Sequence, residues 1–487
     1  MCWTGRYLPT LTCKVRRMMF QAPIFANATR LVSAAVFSIL AASTAANAQG
    51  PAAKLRNIFT CPDLAERSLA QGLTHPLVQG YGGAFYRVSA DLRDFYLYSR
   101  SNIQYFARLN EVLKSRDIDL TLVFVPPKSF MDAAFVPEEV WKEYDFDREM
   151  ATQTYKLLNE DLTRAGLRSV DFLKLRDHFV EEGEESFFFL RDFHWMPRGS
   201  RATAKVVADA LKQTEAYQDL NTKEFETEIV DAELLHLAGM HKIVDTLCTG
   251  PAVQEYMVRY ETTEALNDLD SLLDDDATPV ALIGTSFSDE INPYNFSGFL
   301  REFMQVEIAS YAISGGGMES SVLDWTHNAL PESEGTRFLI WELPMTAGIA
   351  RFPEVTFRQI IPAVAGFCEA DRQIAEVAYD IEPGGAVTMD LEELVPDQDH
   401  LIGSDYYLAM SLSESDVRSF ALEISQRDGS SENVLINRPE RVTSFSSLFF
   451  EMSQTQISPL RSITVKPGGE KALSGTLSLC RYGSSNS

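Results

Sequence analysis

The sequence predicts an α/β domain with a mostly parallel sheet, followed by an all-β sandwich. Between about residues 100 and 350, short apolar runs alternate with stretches of helical spacing, the pattern left by βαβ crossovers. After about residue 385, seven short strand-like runs succeed one another with Gly, Pro, Asn and Asp between them, the pattern of a sandwich. The charge changes at the same place. The 487 residues carry 43 Lys and Arg against 69 Asp and Glu, a net of −26, yet residues 401–487 hold eight of the former and nine of the latter. So acidic a chain is no general nucleic-acid binder, which needs cations to neutralise phosphates. At first sight it opposes an anionic polymer as well.

The first 48 residues contain Arg6, Lys14, Arg16, Arg17 and Arg30 and no acid. The apolar run Leu31–Ser43 and the small residues Ala46-Asn47-Ala48 follow. This is the pattern of a secretory signal peptide cut before Gln49, with Met18 or Met19 as an alternative start. The run falls short of the roughly 20 residues that span a bilayer. An exported, soluble protein is expected. In an oxidising compartment Cys61, Cys248, Cys368 and Cys480 are expected to form disulfides. Four cysteines allow three pairings. A division of the chain near residue 355 favours Cys61–Cys248 and Cys368–Cys480, one in each domain (49–354 and 355–487).

In chain order, Ser101–Leu113 has helical spacing and leads into Leu120–Val125, an apolar run closed by Pro126-Pro127 that reads as a buried parallel strand. Tyr155–Leu162 is helical and Ser169–Phe172 the next strand. Ala202–Leu211 forms a helix after Pro197, and Pro279–Ile283 a strand backed by the helix Phe296–Phe303. The strand Ile308–Ile313, the helix Met318–Asn328 and the strand Arg337–Glu342 complete the series. Sandwich strands are expected around Val387, Tyr406, Phe420, Val434, Ser447, Ser462 and Gly475. The acidic stretch Glu261–Asp276 lacks EF-hand spacing and reads as a solvated loop. His236 and His241 are the nearest approach to a metal pair, with no zinc-site spacing around them.

Two segments carry chemistry. Gly284-Thr285-Ser286-Phe287-Ser288 directly follows the strand Val280–Ile283, so Ser286 is expected at the carboxyl end of the sheet, where open α/β folds bind ligands. Asp192-Phe193-His194-Trp195 puts a carboxylate two residues before a His, able to hold Nδ1 and leave Nε2 as a base. Nucleophile, base and orienting acid are the parts of a Ser-His-Asp relay. Neither segment is specific alone: Ser288 stands where the lipase elbow has Gly, and Gly-X-Ser commonly just caps a turn. The run Ser314-Gly315-Gly316-Gly317 admits close backbone approach, so the amides of Gly315 and Gly316 with that of Ser286 are oxyanion-hole candidates.

Together with Pro126-Pro-Lys-Ser129 and Leu339-Ile-Trp-Glu342, these segments resemble the AlgX/AlgJ alginate O-acetyltransferases, SGNH-hydrolase-like proteins of the bacterial periplasm. The β-rich tail makes the chain more similar to the AlgX side of that family. The resemblance covers about Cys61 to Cys480. It implies an SGNH-hydrolase-like domain followed by a carbohydrate-binding module, with Ser286 as the acetyl-accepting nucleophile, His194 as base and Asp192 as its orienter. Thr285 stands where ordinary SGNH hydrolases have Asp, and the Asp-X-His pair precedes the Ser, an order the AlgX-like group shares.

The implied acceptor is polymannuronate, at its C2 and C3 hydroxyls. The acetyl donor is left open, and no cofactor or metal is implied. An AlgK-like outer-membrane export lipoprotein and a periplasmic serine protease are the implied partners. An acetyl esterase with the same three residues, or a non-catalytic binder that shields the polymer, are the competing readings. Lys128, Arg191 and Arg198 near the motifs, and Arg438, Arg441 and Lys466 in the Trp-free tail, are the candidate contacts to the polymer. With Arg201 also beside the motif segments, a local basic track from the Ser286 cleft to the tail would override the acidic net charge at a Debye length of about 8 Å.

Overall fold

The computed structural model describes residues 60–483 apart from 182–185, 235–238, 251–254, 266–277, 334 and 396–398. The expected signal peptide, His236 and most of the acidic stretch 261–276 lie outside the described residues. Near the start, β1 (Leu77–Gln79) and β2 (Phe85–Arg87) form a small antiparallel hairpin. The central strands are β3 (Asp119–Val125), which is buried on both faces after its first residue, and the two-residue β4 (Arg168–Ser169). A second antiparallel hairpin follows, β5 (Phe225–Leu234) with β6 (Tyr256–Glu264). Then come β7 (Val280–Ile283), β8 (Ile308–Ser310) and β9 (Phe338–Pro344).

The spatial order β4-β3-β9-β7-β8 is parallel throughout, as the alternation predicts. The last strand in sequence inserts between β3 and β7, so crossovers leave the middle of the sheet in both directions. A crevice at the carboxyl ends of the central strands is the usual ligand site of such a sheet. Helices cover it. Arg100–Lys114 starts at Ser99, whose Oγ accepts from the Asn102 N–H, and Arg148–Arg164 starts at Asp147, which accepts from two first-turn amides. Pro197 opens the helix Pro197–Leu211, where its missing N–H costs nothing.

The helix expected at Met318–Asn328 is split: Ser320–Asp324 is α, and Trp325–Ala329 widens into a π turn. The helix Glu354–Ala365 puts Phe357, Ile360, Ile361 and Val364 into the α/β core. The sandwich begins at β10 (Gln373–Ile381) and continues with β11 (Val387–Asp390), β12 (Tyr406–Ser411), β13 (Ser419–Gln426), β14 (Ser431–Asn437), β15 (Ser447–Glu451), β16 (Leu460–Pro467) and β17 (Leu473–Arg481). Two antiparallel sheets, β10-β17-β12-β15 and β11-β16-β13-β14, enclose its own core, including Phe420, Leu422, Ile463 and Leu477. Both disulfides form as expected, Cys61–Cys248 and Cys368–Cys480. Among the described residues no helix is long and apolar enough to cross a membrane.

Candidate active site

β7 ends at Ile283, and the chain turns at Gly284-Thr285-Ser286. Register sets what lies beneath: Ile283 pairs with Trp341, so Glu342 of β9 comes next to Gly284. A Cβ on Gly284 would meet Glu342 Oε2 at 2.7 Å, so the close approach needs glycine. Glu342 is fully buried and accepts from the Thr285 N–H (2.7 Å), the Thr285 hydroxyl (2.9 Å) and the Ser288 hydroxyl (3.2 Å). Burial pushes its carboxyl up to about 7 against these three donors. Thr285 therefore ties the turn to β9.

The Asp192–His194 loop meets this turn from the other side. Ser286 Oγ lies 2.7 Å from His194 Nε2, and His194 Nδ1 lies 2.6 Å from Asp192 Oδ1, which also accepts from the His194 N–H at 2.9 Å. A carboxylate on Nδ1 fixes the tautomer with Nε2 as acceptor for the Ser286 hydroxyl. Burial alone would raise the Asp192 carboxyl. The hydrogen bond and charge of His194, its backbone N–H and the Lys128 ammonium together hold it below the usual carboxylate value. The Trp195 indole N–H donates to the Phe287 carbonyl at 2.9 Å, and Tyr294 stacks on the His194 ring at 5.2 Å. The motif's Trp thus locks the His194 loop to the Ser286 turn. Such an arrangement can pass a proton from Ser286 to His194 as the oxygen attacks a carbonyl.

The oxyanion candidates separate. The amide N–H groups of Ser286 and Gly315 have no partner among the described residues, while that of Gly316 donates to the Ile313 carbonyl at 3.2 Å and is not available. Gly316 serves packing instead: a Cβ there would sit 2.8 Å from that of Ser320. Asn292 joins the two loops, donating to the Ser286 carbonyl (3.0 Å) and to Ser314 Oγ (2.9 Å), and Asp289 accepts the Ser314 N–H (2.8 Å). Asn292, Asp289 and Tyr294 were not foreseen; their single signal is that they follow Ser286 within the same turn.

The expected basic track does not assemble from the candidate cations, and Arg201 pairs with Glu302. Lys128 is buried and shares its ammonium protons among the carbonyls of Phe85 (3.0 Å), Phe189 (2.5 Å), Leu190 (2.7 Å) and Asp192 (3.1 Å), so it offers nothing to a ligand. Arg191 is buried beside Asp245 (2.5 Å) and Glu255 (3.7 Å). Arg198 is half-buried with Nε on the Ser186 carbonyl (2.6 Å). Arg438 is buried among the carbonyls of Val417, Phe445 and Ser447. Lys128 and Arg438 are internal staples, each satisfying several buried carbonyls at once, and Arg191 is engaged by two carboxylates. Lys466 is exposed on β16, with Val465 and Pro467 turned into the sandwich. Arg441 alone of the six candidate contacts reaches the cleft, lying over Gly315. His241, buried 3.5 Å from Asp245, takes part in no metal-ligand cluster among the described residues.

Residues 85–345 match the family described as "SGNH hydrolase-like domain, acetyltransferase AlgX". The chain is 29% identical over 383 residues to the alginate biosynthesis protein AlgX of Pseudomonas aeruginosa, covering 78% of this chain and 77% of that one. It is 26% identical over 262 residues to the probable alginate O-acetylase AlgJ of the same species, covering 49% of this chain and 63% of that one. A solved structure of Pseudomonas aeruginosa AlgX superposes with a TM-score of 0.70 at 25% identity, over 87% of this chain and 99% of that one. The family match spans the parallel sheet and both motif segments, the superposition extends over 87% of the chain, and the chain belongs to the AlgX family of SGNH hydrolase-like acetyltransferases.

Proposed function

We propose that the protein is a periplasmic O-acetyltransferase that carries an acetyl group on Ser286 and delivers it to C2 or C3 hydroxyls of mannuronate units in alginate. The observation that carries this reading is the continuous chain from Asp192 through His194 to Ser286 at the carboxyl end of β7. In the first step Ser286 Oγ attacks the acetyl carbonyl carbon while its proton moves to His194 Nε2. The tetrahedral oxyanion sits against the amides of Ser286 and Gly315. Collapse expels the donor's leaving group, which takes the proton back from His194. In the second step a sugar hydroxyl gives its proton to Nε2 and attacks the ester, and Ser286 leaves with that proton restored. Removing one oxyanion donor from comparable sites lowers kcat about 10²–10³-fold. Family membership supports a place in alginate assembly, with an outer-membrane export lipoprotein and a serine protease of the periplasm as partners.

Incubation with an activated acetyl ester and oligomannuronate tests this. The wild type should gain the mass of one acetyl group on Ser286 and pass it to the oligomer. Ser286→Ala should do neither while still binding oligomer. Undiminished transfer by that variant would overturn the assignment. Free acetate with unmodified oligomer would make the protein an esterase.

A further inference from the structure

The sandwich reaches into the catalytic domain through the segment between β14 and β15. Val442 and Phe445 of that segment are buried in the α/β core, and the Phe445 ring stacks on His327 at 4.1 Å. The Thr443 N–H donates to Asp324 Oδ1 at 3.0 Å. Arg438 stiffens the segment from within, bridging the carbonyls of Val417, Phe445 and Ser447 and lying 3.7 Å from the centre of the Phe445 ring. What this rigid segment presents is Arg441, which is exposed.

The Arg441 guanidinium lies over Gly315, where an added Cβ would come 3.3 Å from Nε and 3.4 Å from Cζ. Gly315 has φ +71, so both its backbone and its open face depend on glycine. Among the described residues Arg441 has no hydrogen-bond or ion-pair partner, and neither has the Gly315 N–H. Asp289, which accepts the Ser314 N–H, Asp324, which accepts the Thr443 N–H, and Glu290, which pairs with Arg301 at 3.1 Å, are engaged by other partners. Ser314, next to Gly315, is bridged by Asn292 to the Ser286 carbonyl. Gly315 thus stands one residue beyond the atoms bonded to the nucleophile turn.

We propose that Arg441 forms a carboxylate subsite on the rim of the Ser286 cleft, so that the sandwich reads the acid group of the sugar whose hydroxyl is acetylated. The subsite rests on the acetyl-transfer reading above for the identity of that sugar. A guanidinium offers a planar fork that matches a carboxylate. In a chain of net −26, a cation without a partner among the described residues at the cleft favours the approach of an anionic polymer there. Placed across the seam, it makes acceptor choice depend on both domains.

The test compares Ser286→Ala with Ser286→Ala/Arg441→Gln for binding of oligomannuronate and of the same oligomer with its carboxyl groups reduced to alcohols. Losing a charge-assisted hydrogen bond should weaken oligomannuronate by about ten- to a hundredfold. The reduced oligomer should bind both proteins alike. In the Ser286 background, Arg441→Gln should raise KM for oligomannuronate by a similar factor with kcat changed less. Equal weakening of both oligomers would show a merely structural Arg441 and overturn the proposal, as would no change in either. If the wild type formed no acetyl-enzyme, the acetyl-transfer reading would fail, while the binding comparison would still decide the subsite.

Discussion

At the scale of single residues, the Ser286–His194–Asp192 arrangement depends on groups outside those three residues. Glu342 is the clearest. Its carboxyl is wholly buried, its partners are two hydroxyls and one amide, and burial raises it from 4.5 to about 7. A carboxyl raised on folding holds its proton more tightly in the native state than in the unfolded one. Folding is therefore favoured at low pH and loses stability as pH rises from about 4.5 through about 7. For a shift of this size the loss is about 3 kcal/mol, since each pKa unit is worth about 1.4 kcal/mol. Glu342→Gln should flatten this part of the stability curve, measured as urea midpoints from pH 4.5 to 8. An unchanged slope would show that Glu342 does not titrate in that window. At this scale the motifs were legible, because Asp-X-His and Gly-Thr-Ser place their groups through local geometry. The fates of Lys128, Arg191 and Arg438 were not. A cation's position in sequence says nothing of whether its side chain turns to solvent or to buried carbonyls.

At the scale of elements, the Asp192–His194 loop belongs to neither a helix nor a long strand, and Lys128 holds it. The ammonium gathers carbonyls from residues 189, 190 and 192 and from β2, and Glu255 accepts the amides of Leu190 and Arg191. Burial lowers the Lys128 pKa, opposed by the charges of Glu255, Asp132, Asp91 and Asp192. Lys128→Met would leave four carbonyls and these acids without their cation. A loss of about 3–5 kcal/mol in a denaturant titration is expected, with acetyl-enzyme formation falling because the His194 loop relaxes. A stable, fully active variant would contradict this. The apolar strands of the parallel sheet were legible from burial on both faces. The β5–β6 hairpin and β10 were not. The hairpin is rich in Glu, Asp and Thr and largely exposed, and it is anchored by Tyr260 on Phe299 (5.2 Å) and by Gln305 on both backbone groups of Phe225. β10 buries just its third and seventh residues. Such strands are held by cross-strand hydrogen bonds, which composition does not record.

At the scale of the whole molecule, the two cores are joined by the helix Glu354–Ala365 and by a seam of Ala363, Tyr407, Ala409, Phe449 and Cys480. Arg358 on that helix pairs with Glu432 of β14 and donates to the Glu451 carbonyl of β15. The Cys368–Cys480 disulfide ties the start of the sandwich to β17 across 112 residues. Replacing both cysteines by Ala should cost about 2–5 kcal/mol, read as a lowered urea midpoint. An unshifted midpoint would mean that the seam holds the last strand without the covalent bond.

By itself, the sequence determined the order of the two architectures, the two motif segments that meet and the cysteine pairing. Each is encoded in local periodicity, residue type or position along the chain. Tertiary structure alone decided which of the candidate cations face the cleft, that the Gly315 amide has no partner among the described residues and that Glu342 lies under the Ser286 turn. These depend on contacts between segments tens to hundreds of residues apart, such as β9 against the turn after β7, or Arg441 against Gly315. Pairings at such separation are set by how the cores pack, and no window of sequence contains both partners.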